Sequence, residues 1–267
     1  MRTIPRFIRY AVYVALTAGT GVYAQISTIN SGVITPRVFN DFPGATGNYV
    51  NSYPGSITMG ESGAWRTNSG GLDRDYWAFS NNGSSPYLMV AGDTGFRISF
   101  NLTLGPDTGS SIDSEAGFII PNGMTASYGQ GNGTFPGGDL QFIAKSSQDH
   151  FIGFFGGPGF WNSGIPYVAN TTITMKISYF QNGTTGNLQF TVIDGASTAV
   201  SPIESWTGNL VGDLLGGYFQ IGNGGSAPGA SAQSVFSNIQ IAVPEPSSLA
   251  LLGLGLLPLL FRRRRCE

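Results

Sequence analysis

The nine residues FRISFNLTL, 96–104, leave the chain few ways to fold. Phe96, Ile98, Phe100, Leu102 and Leu104 alternate with Arg97, Ser99, Asn101 and Thr103. A period of two places five apolar side chains on one face and the polar ones on the other, which is the pattern of a half-buried strand. TITMKISY repeats it with Ile173, Met175, Ile177 and Tyr179, and LQFTV with Leu188, Phe190 and Val192. Between these two runs lies QNGTTGN, residues 181–187, whose Gly and Asn accept positive φ, so residues 172–192 are predicted to form a β-hairpin. Further short strands are predicted at 76–80, 87–90, 117–120, 140–145, 150–155, 218–221 and 235–243. Turn signals separate them at Asn82-Gly83, Asn122-Gly123, Asn132-Gly133 and Gly224-Gly225. Residues 209–217 are read as one short helical turn, and residues 222–234 as a loop before the last strand. The fold class is therefore all-β, an antiparallel β-sandwich with Phe96, Ile98, Phe100, Ile173, Met175, Ile177, Leu188 and Phe190 inside.

The two ends follow other rules. Arg2, Arg6 and Arg9 precede a short apolar stretch, residues 11–18, and Val22-Tyr23-Ala24 then supplies small residues on either side of Tyr23. This layout predicts a secretory signal peptide at 1–24, with an apolar helix too short to span a bilayer and cleavage after Ala24. With both ends set aside, residues 25–243 keep six Lys and Arg against thirteen Asp and Glu, a net charge of −7. An acidic surface repels phosphate backbones, so nucleic acid is excluded as a partner. The single cysteine, Cys266, stands beyond the last arginine. The body thus has neither a disulfide nor a cysteine-ligated metal, and about 220 residues must hold themselves by core burial.

The C-terminal stretch 243–267 reads VPEPSSLALLGLGLLPLLFRRRRCE. Residues 249–261 are all apolar, Gly or Pro; as a helix they reach about 20 Å, against roughly 30 Å of hydrocarbon. Pro258 interrupts the stretch, and Arg262, Arg263, Arg264 and Arg265 stop it and favour the cytoplasmic side. The expectation is a C-terminal transmembrane helix that anchors the chain only marginally. Pro244, Glu245 and Pro246, then the apolar stretch, then the arginines resemble the PEP-CTERM sorting signal of Gram-negative bacteria. That resemblance implies an exosortase that cuts near the triplet and a producer of exopolysaccharide; the signal peptide adds a secretion translocon as partner, and the apolar stretch the inner membrane as a transient one. The domain organisation expected is 1–24 signal peptide, 25–242 β-sandwich and 243–267 sorting signal.

The order of strands in the body resembles the concanavalin A-like jelly roll of legume lectins and laminin-G-like domains. On that fold laminarinase-like glycosidases carry Glu-x-Asp-x-Glu on a strand, and SIDSE, 111–115, matches it at Asp113 and Glu115 with Ser111 in place of the nucleophile. A serine cannot form that glycosyl-enzyme intermediate unaided, and the segment also reads as a polar loop. His150, the only histidine, would have to serve any Ser-His-Asp triad, and its strand parity favours a packing role. No catalytic residue is assigned.

Asp107, Asp113 and Glu115 form one candidate Ca²⁺ site and Asp73 with Asp75 a second, as oxygen donors without EF-hand spacing. Trp161, in the Gly- and Pro-rich GGPGFWNSGIP, is the candidate carbohydrate contact, because a sugar face stacks on a ring. Trp65, Trp77 and Trp206 read as core or edge residues. No cofactor is required by this reading. The function expected is that of an exported, non-enzymatic cell-surface or matrix protein associated with exopolysaccharide. The alternatives are a Ca²⁺-dependent lectin-like adhesin and a divergent glycoside hydrolase.

Overall fold

A computed structural model describes residues 28–40, 44–63, 72–105, 112–121, 139–146, 152–156, 159–223 and 231–243. The expected signal helix, the C-terminal helix with Pro244, Glu245, Pro246 and the four arginines, and also Trp65, Asp107 and His150, lie outside these residues. Among the described residues no helix is long and apolar enough to cross a membrane.

Among the described residues fifteen strands run in chain order: β1 (Ser31–Asn40), β2 (Ala45–Ser52), β3 (Ser56–Gly63), β4 (Leu72–Ser80), β5 (Gly95–Leu104), β6 (Ile112–Ile120), β7 (Leu140–Lys145), β8 (Ile152–Phe155), β9 (Trp161–Asn162), β10 (Thr172–Asn182), β11 (Thr185–Asp194), β12 (Ser197–Val200), β13 (Glu204–Thr207), β14 (Gly216–Asn223) and β15 (Ser231–Ala242). They pair antiparallel into a seven-stranded sheet ordered β1-β4-β14-β6-β7-β8-β9 and an eight-stranded one ordered β12-β11-β10-β5-β15-β3-β2, with β13 also on β11.

The three apolar runs of the sequence lie side by side. Ile98, Phe100 and Leu102 of β5 stand opposite Ile177, Met175 and Ile173 of β10, while Ile177, Met175 and Tyr179 face Phe190, Val192 and Leu188 of β11. All eight residues predicted to be inside are buried. Because the side-chain period is two, this register puts every apolar member on one face, where a slip of one residue would turn them all outward. That face meets the other sheet through aromatic contacts: Phe190 lies 4.9 Å from both Phe142 and Phe154, and Phe236 lies 5.6 Å from Trp77, ring centre to ring centre. The β10–β11 turn is tighter than the predicted loop. Asn182 pairs with Thr185, which leaves Gly183, with φ 60°, and Thr184 as the central residues. A two-residue hairpin turn with Gly in its first central position matches the twist of the flanking strands.

Four expectations are corrected. Residues 209–217 hold no helical turn: Val211 and Gly212 form a simple turn, and Leu214 makes an isolated bridge to Leu88. Residues 87–90 therefore contribute one bridge rather than a strand. SIDSE is not a loop, since Asp113, Ser114 and Glu115 belong to β6. Part of the predicted loop 222–234 is strand, because β14 extends to Asn223 and β15 starts at Ser231. The ladders supply the reason: β6 and β14 are covered on both faces and β15 is paired on both edges, so continuous pairing outweighs a locally polar or Gly-rich composition.

Gly216 has a steric duty that composition could not reveal. Gly216 of β14 is paired to Ala78 on one side and to Ile119 on the other. A Cβ at Gly216 would stand 1.8 Å from the Trp77 carbonyl oxygen, a backbone atom that cannot step aside.

Candidate functional site

At one edge of the sandwich four strands bring five polar side chains together. β4 alternates Arg74, Tyr76 and Ala78 with Asp73, Asp75, Trp77 and Phe79. The Trp77 face looks toward the second sheet, since Trp77 meets Phe236 of β15, so period two carries Asp73 and Asp75 to the same interior. From the opposite sheet β3 repeats the pattern with Ile57, Met59 and Glu61 inward. Glu61, Asp73 and Asp75 are 2 %, 1 % and 1 % exposed. One carboxylate oxygen from each lies within 4.8 Å of the others, and this is a group of three potential metal ligands among the described residues.

Arg37 and Tyr49 close the cluster from the two edge strands. In β1 the pairing with β4 shifts between Thr35 and Phe39, and Arg37 within this bulge has φ 53°. A bulge re-aims its residues and the left-handed conformation is disfavoured for a long side chain, so the backbone here is bent toward a purpose. The Arg37 amide donates to Asp75 Oδ1 at 2.9 Å. Its Nε and Nη2 donate to Glu61 Oε1 and Oε2 at 3.2 and 2.7 Å, a two-pronged pair. Its Nη2 also donates to the Ala45 carbonyl. The Tyr49 hydroxyl reaches Glu61 Oε1 and also lies 2.9 Å from Asp75 Oδ1. A phenol has one proton to give, so it cannot satisfy both carboxylates at once.

The remaining oxygens are worse placed. Asp73 Oδ1 and Oδ2 and Asp75 Oδ2 are buried without a hydrogen-bond partner. The Arg37 guanidinium approaches Asp73 no closer than 4.0 Å. Burial, with the charges of Glu61 and Asp75 added, pushes Asp73 up to about 7 against the pull of Arg37. Burial first, and Glu61 after it, pushes Asp75 up to about 6. Burial and the Glu61 contact hold the Tyr49 hydroxyl firmly protonated, and the hydrogen bonds to Glu61 keep Arg37 deep in its charged range. Three carboxylates against one guanidinium leave two negative charges in the interior. They must be met by protons or by a cation, because an isolated buried charge is prohibitively costly. Glu61 also lines a cleft of about 220 Å³ with Asn48, Gly60, Ser62, Ala232 and Gln233.

Glu115, assigned from sequence to a different metal site, sits on the outer face of the seven-stranded sheet in a row of registered partners. Arg74, Gln220, Glu115 and Lys145 stand side by side on β4, β14, β6 and β7. Arg74 Nε donates to Gln220 Oε1 at 2.6 Å, Gln220 Nε2 to Glu115 Oε1 at 2.9 Å, and Lys145 Nζ lies 3.5 Å from Glu115 Oε2. The Tyr218 hydroxyl donates to Glu115 Oε1 at 3.1 Å, and burial followed by the Glu115 charge raises its pKa well above the ordinary value. Glu115 is thus compensated by neighbours of its own, and the side chain of Asp113 lies outside the described residues. Of the two acid groups noted in the sequence, the structure brings together Asp73 and Asp75. It adds Glu61, Arg37 and Tyr49, none of which carried a sequence signal.

Trp161 opens β9 at the far edge of the same sheet. It is half-buried, with its ring stacked 6.1 Å from Phe154 and tilted toward Phe142 at 6.4 Å. The neighbouring Phe160 is the exposed aromatic, at 69 %. A Cβ at Gly159 would meet Glu204 Oε2 at 3.3 Å, so this carboxylate borders the same surface, and its burial raises its pKa. Trp77 and Trp206 are buried, as expected.

The model of the PEP-CTERM protein-sorting motif matches residues 242–265. This chain carries a PEP-CTERM sorting motif. The motif begins at the last residue of β15, and it contains Pro244, Glu245, Pro246 and the four arginines. No curated protein matches the chain. Solved structures similar to it include peanut lectin with a nine-residue peptide, at 10 % identity over 79 % of this chain and 98 % of that one with a TM-score of 0.40. A seed lectin of Lotus tetragonolobus gives 11 %, 80 %, 100 % and 0.42. The alginate lyase from Klebsiella pneumoniae gives 11 %, 82 %, 97 % and 0.41.

Proposed function

We propose that the protein is exported, held transiently at the inner membrane by its C-terminal segment and released by an exosortase, and that it then serves as a non-enzymatic surface or matrix component on exopolysaccharide. The observation that carries this reading is the PEP-CTERM motif at residues 242–265, which starts where the last strand of the sandwich ends. Pro244 and Pro246 lack the N–H that a ladder or a helix interior needs, which suits a segment that a protease must grip in extended form. The polysaccharide contact is assigned to the surface around Phe160, where an exposed ring beside a carboxylate offers a stacking plane and an acceptor for sugar hydroxyls.

The test is to express the full chain in exopolysaccharide-producing hosts that have and lack an exosortase. With the enzyme, the product should end near residues 243–246, leave the membrane fraction and co-sediment with the polymer. Replacing Pro244, Glu245 and Pro246 by Ala should trap the uncut chain in the membrane. Unchanged processing of that variant defeats the sorting reading. A released protein that stays out of the polymer pellet, or a Phe160→Ala variant that pellets like the wild type, defeats the assigned contact. Pelleting that requires Ca²⁺ would instead support the adhesin alternative.

A further inference from the structure

We infer that Glu61, Asp73 and Asp75 form a binding site for one divalent cation of the Ca²⁺ class, which ties the two sheets together at the β1–β2 edge. Three independent features converge on it. The first is spacing. Two ligands on opposite sides of a Ca²⁺ ion are about 4.6–5.2 Å apart, twice the usual 2.3–2.6 Å bond. The three carboxylate oxygens all lie within 4.8 Å of one another, so one such ion can touch all of them. The second is the unpartnered carboxylate. Asp73 is 1 % exposed, points into the cluster and accepts no hydrogen bond at either oxygen. A buried polar group left so needs a ligand to account for it. The third is charge: three carboxylates and Arg37 sum to −2, the charge that one divalent ion cancels. Glu61 is also among the residues that line the cleft with Gly60 and Gln233.

The donor set decides the class of ion. Carboxylates, a phenol and the nearby Ala45 carbonyl are hard oxygen donors, without a thiol or imidazole among them. Asp73 and Asp75 come from one sheet and Glu61 from the other, so the ion would bridge the two layers beside the Arg37–Glu61 and Tyr49–Asp75 contacts that already cross between them. It lies at the β1–β4 end of the seven-stranded sheet, whereas Phe160 and Trp161 lie at the β9 end. Five strand spacings of about 4.8 Å, from β4 to β9, put the two roughly 24 Å apart. The cation therefore acts on the fold and not on the sugar contact, and it stands or falls separately from the polysaccharide reading.

The full chain, purified in detergent and freed of metal by EDTA, should bind one Ca²⁺ per molecule at pH 7.5 by equilibrium dialysis, with a saturable rise of several degrees in Tm. Mg²⁺ at the same concentration should bind at least tenfold more weakly. Asp73→Asn should weaken Ca²⁺ binding at least tenfold and remove the Tm response while the far-UV spectrum stays that of a β-sandwich. Glu61→Gln should do the same and serves if the first variant misfolds. No Ca²⁺ bound by the folded wild type, binding unaffected by both substitutions, or Mg²⁺ bound as tightly as Ca²⁺ would overturn the assignment.

Discussion

Replacing Arg37 by Gln tests how the acid cluster is balanced. Gln keeps a side chain at the same strained φ of 53°, and the backbone amide still donates to Asp75, so backbone effects cancel and the guanidinium alone is lost. With it go the pair of bonds to Glu61 at 3.2 and 2.7 Å and the nearest positive charge to Asp73. Removing one partner of a buried ion pair costs about 3–5 kcal/mol, because the other charge stays behind. Arg37 is itself 21 % exposed and Glu61 only 1 %, which points to the lower end, about 3 kcal/mol. For a domain of this size that is roughly 6–12 °C in Tm.

The loss should depend on pH in a direction that the cluster dictates. Burial and the charge of Glu61, joined at Asp73 by the charge of Asp75, push Asp73 and Asp75 up to about 7 and about 6 from an ordinary 3.8. Between pH 4 and 7 the folded state therefore binds more protons than the unfolded one. In EDTA, the contribution of these groups to stability is fully present below pH 4, falls as pH rises through 7 and is flat beyond. Near pH 5 the protons do part of Arg37's work, so the variant should lose much less there than at pH 8. Thermal melts of wild type and variant in EDTA at pH 5 and pH 8 would read this directly. An equal Tm gap at both values, or a gap below about 1 kcal/mol at pH 8, would refute the account of the cluster as a site with two uncompensated charges.

Two further substitutions test the frame. Gly216→Ala forces a Cβ to 1.8 Å from the Trp77 carbonyl oxygen, and should cost more than about 4 kcal/mol and leave little soluble protein; a variant that expresses and melts like the wild type would show that β14 has room to shift. Trp161→Ala removes a half-buried ring resting on Phe154 and Phe142, and should cost about 1–3 kcal/mol, below the usual 3–5 for a fully buried aromatic. Phe160→Ala should stay within about 0.5 kcal/mol, and chemical denaturation compares the two.

The alternating runs at 96–104, 172–179 and 188–192 determined a good deal on their own. A strict period of two with large apolar members leaves no arrangement that buries them except a sheet facing another layer, and the structure pairs these very runs in register. The triplet Pro244-Glu245-Pro246, the apolar segment and the arginines were equally legible, because a sorting signal is read as a linear sequence by the machinery that handles it. The N-terminal strands β1 to β3 were not legible: ATGNYVNS and SITMGESG are polar and Gly-rich, and only their pairing with β15 and with each other makes them strands.

The acid cluster depended on those unseen strands. Asp73 and Asp75 stood out by their spacing, but Glu61 is twelve residues away on the other sheet and Arg37 is placed by a bulge on a third strand. Which charges share a buried space is fixed by how two sheets stack and in what register. Neighbouring residues in the sequence carry no record of it, since the contact is made across some tens of residues whose own patterns say nothing about what lies opposite.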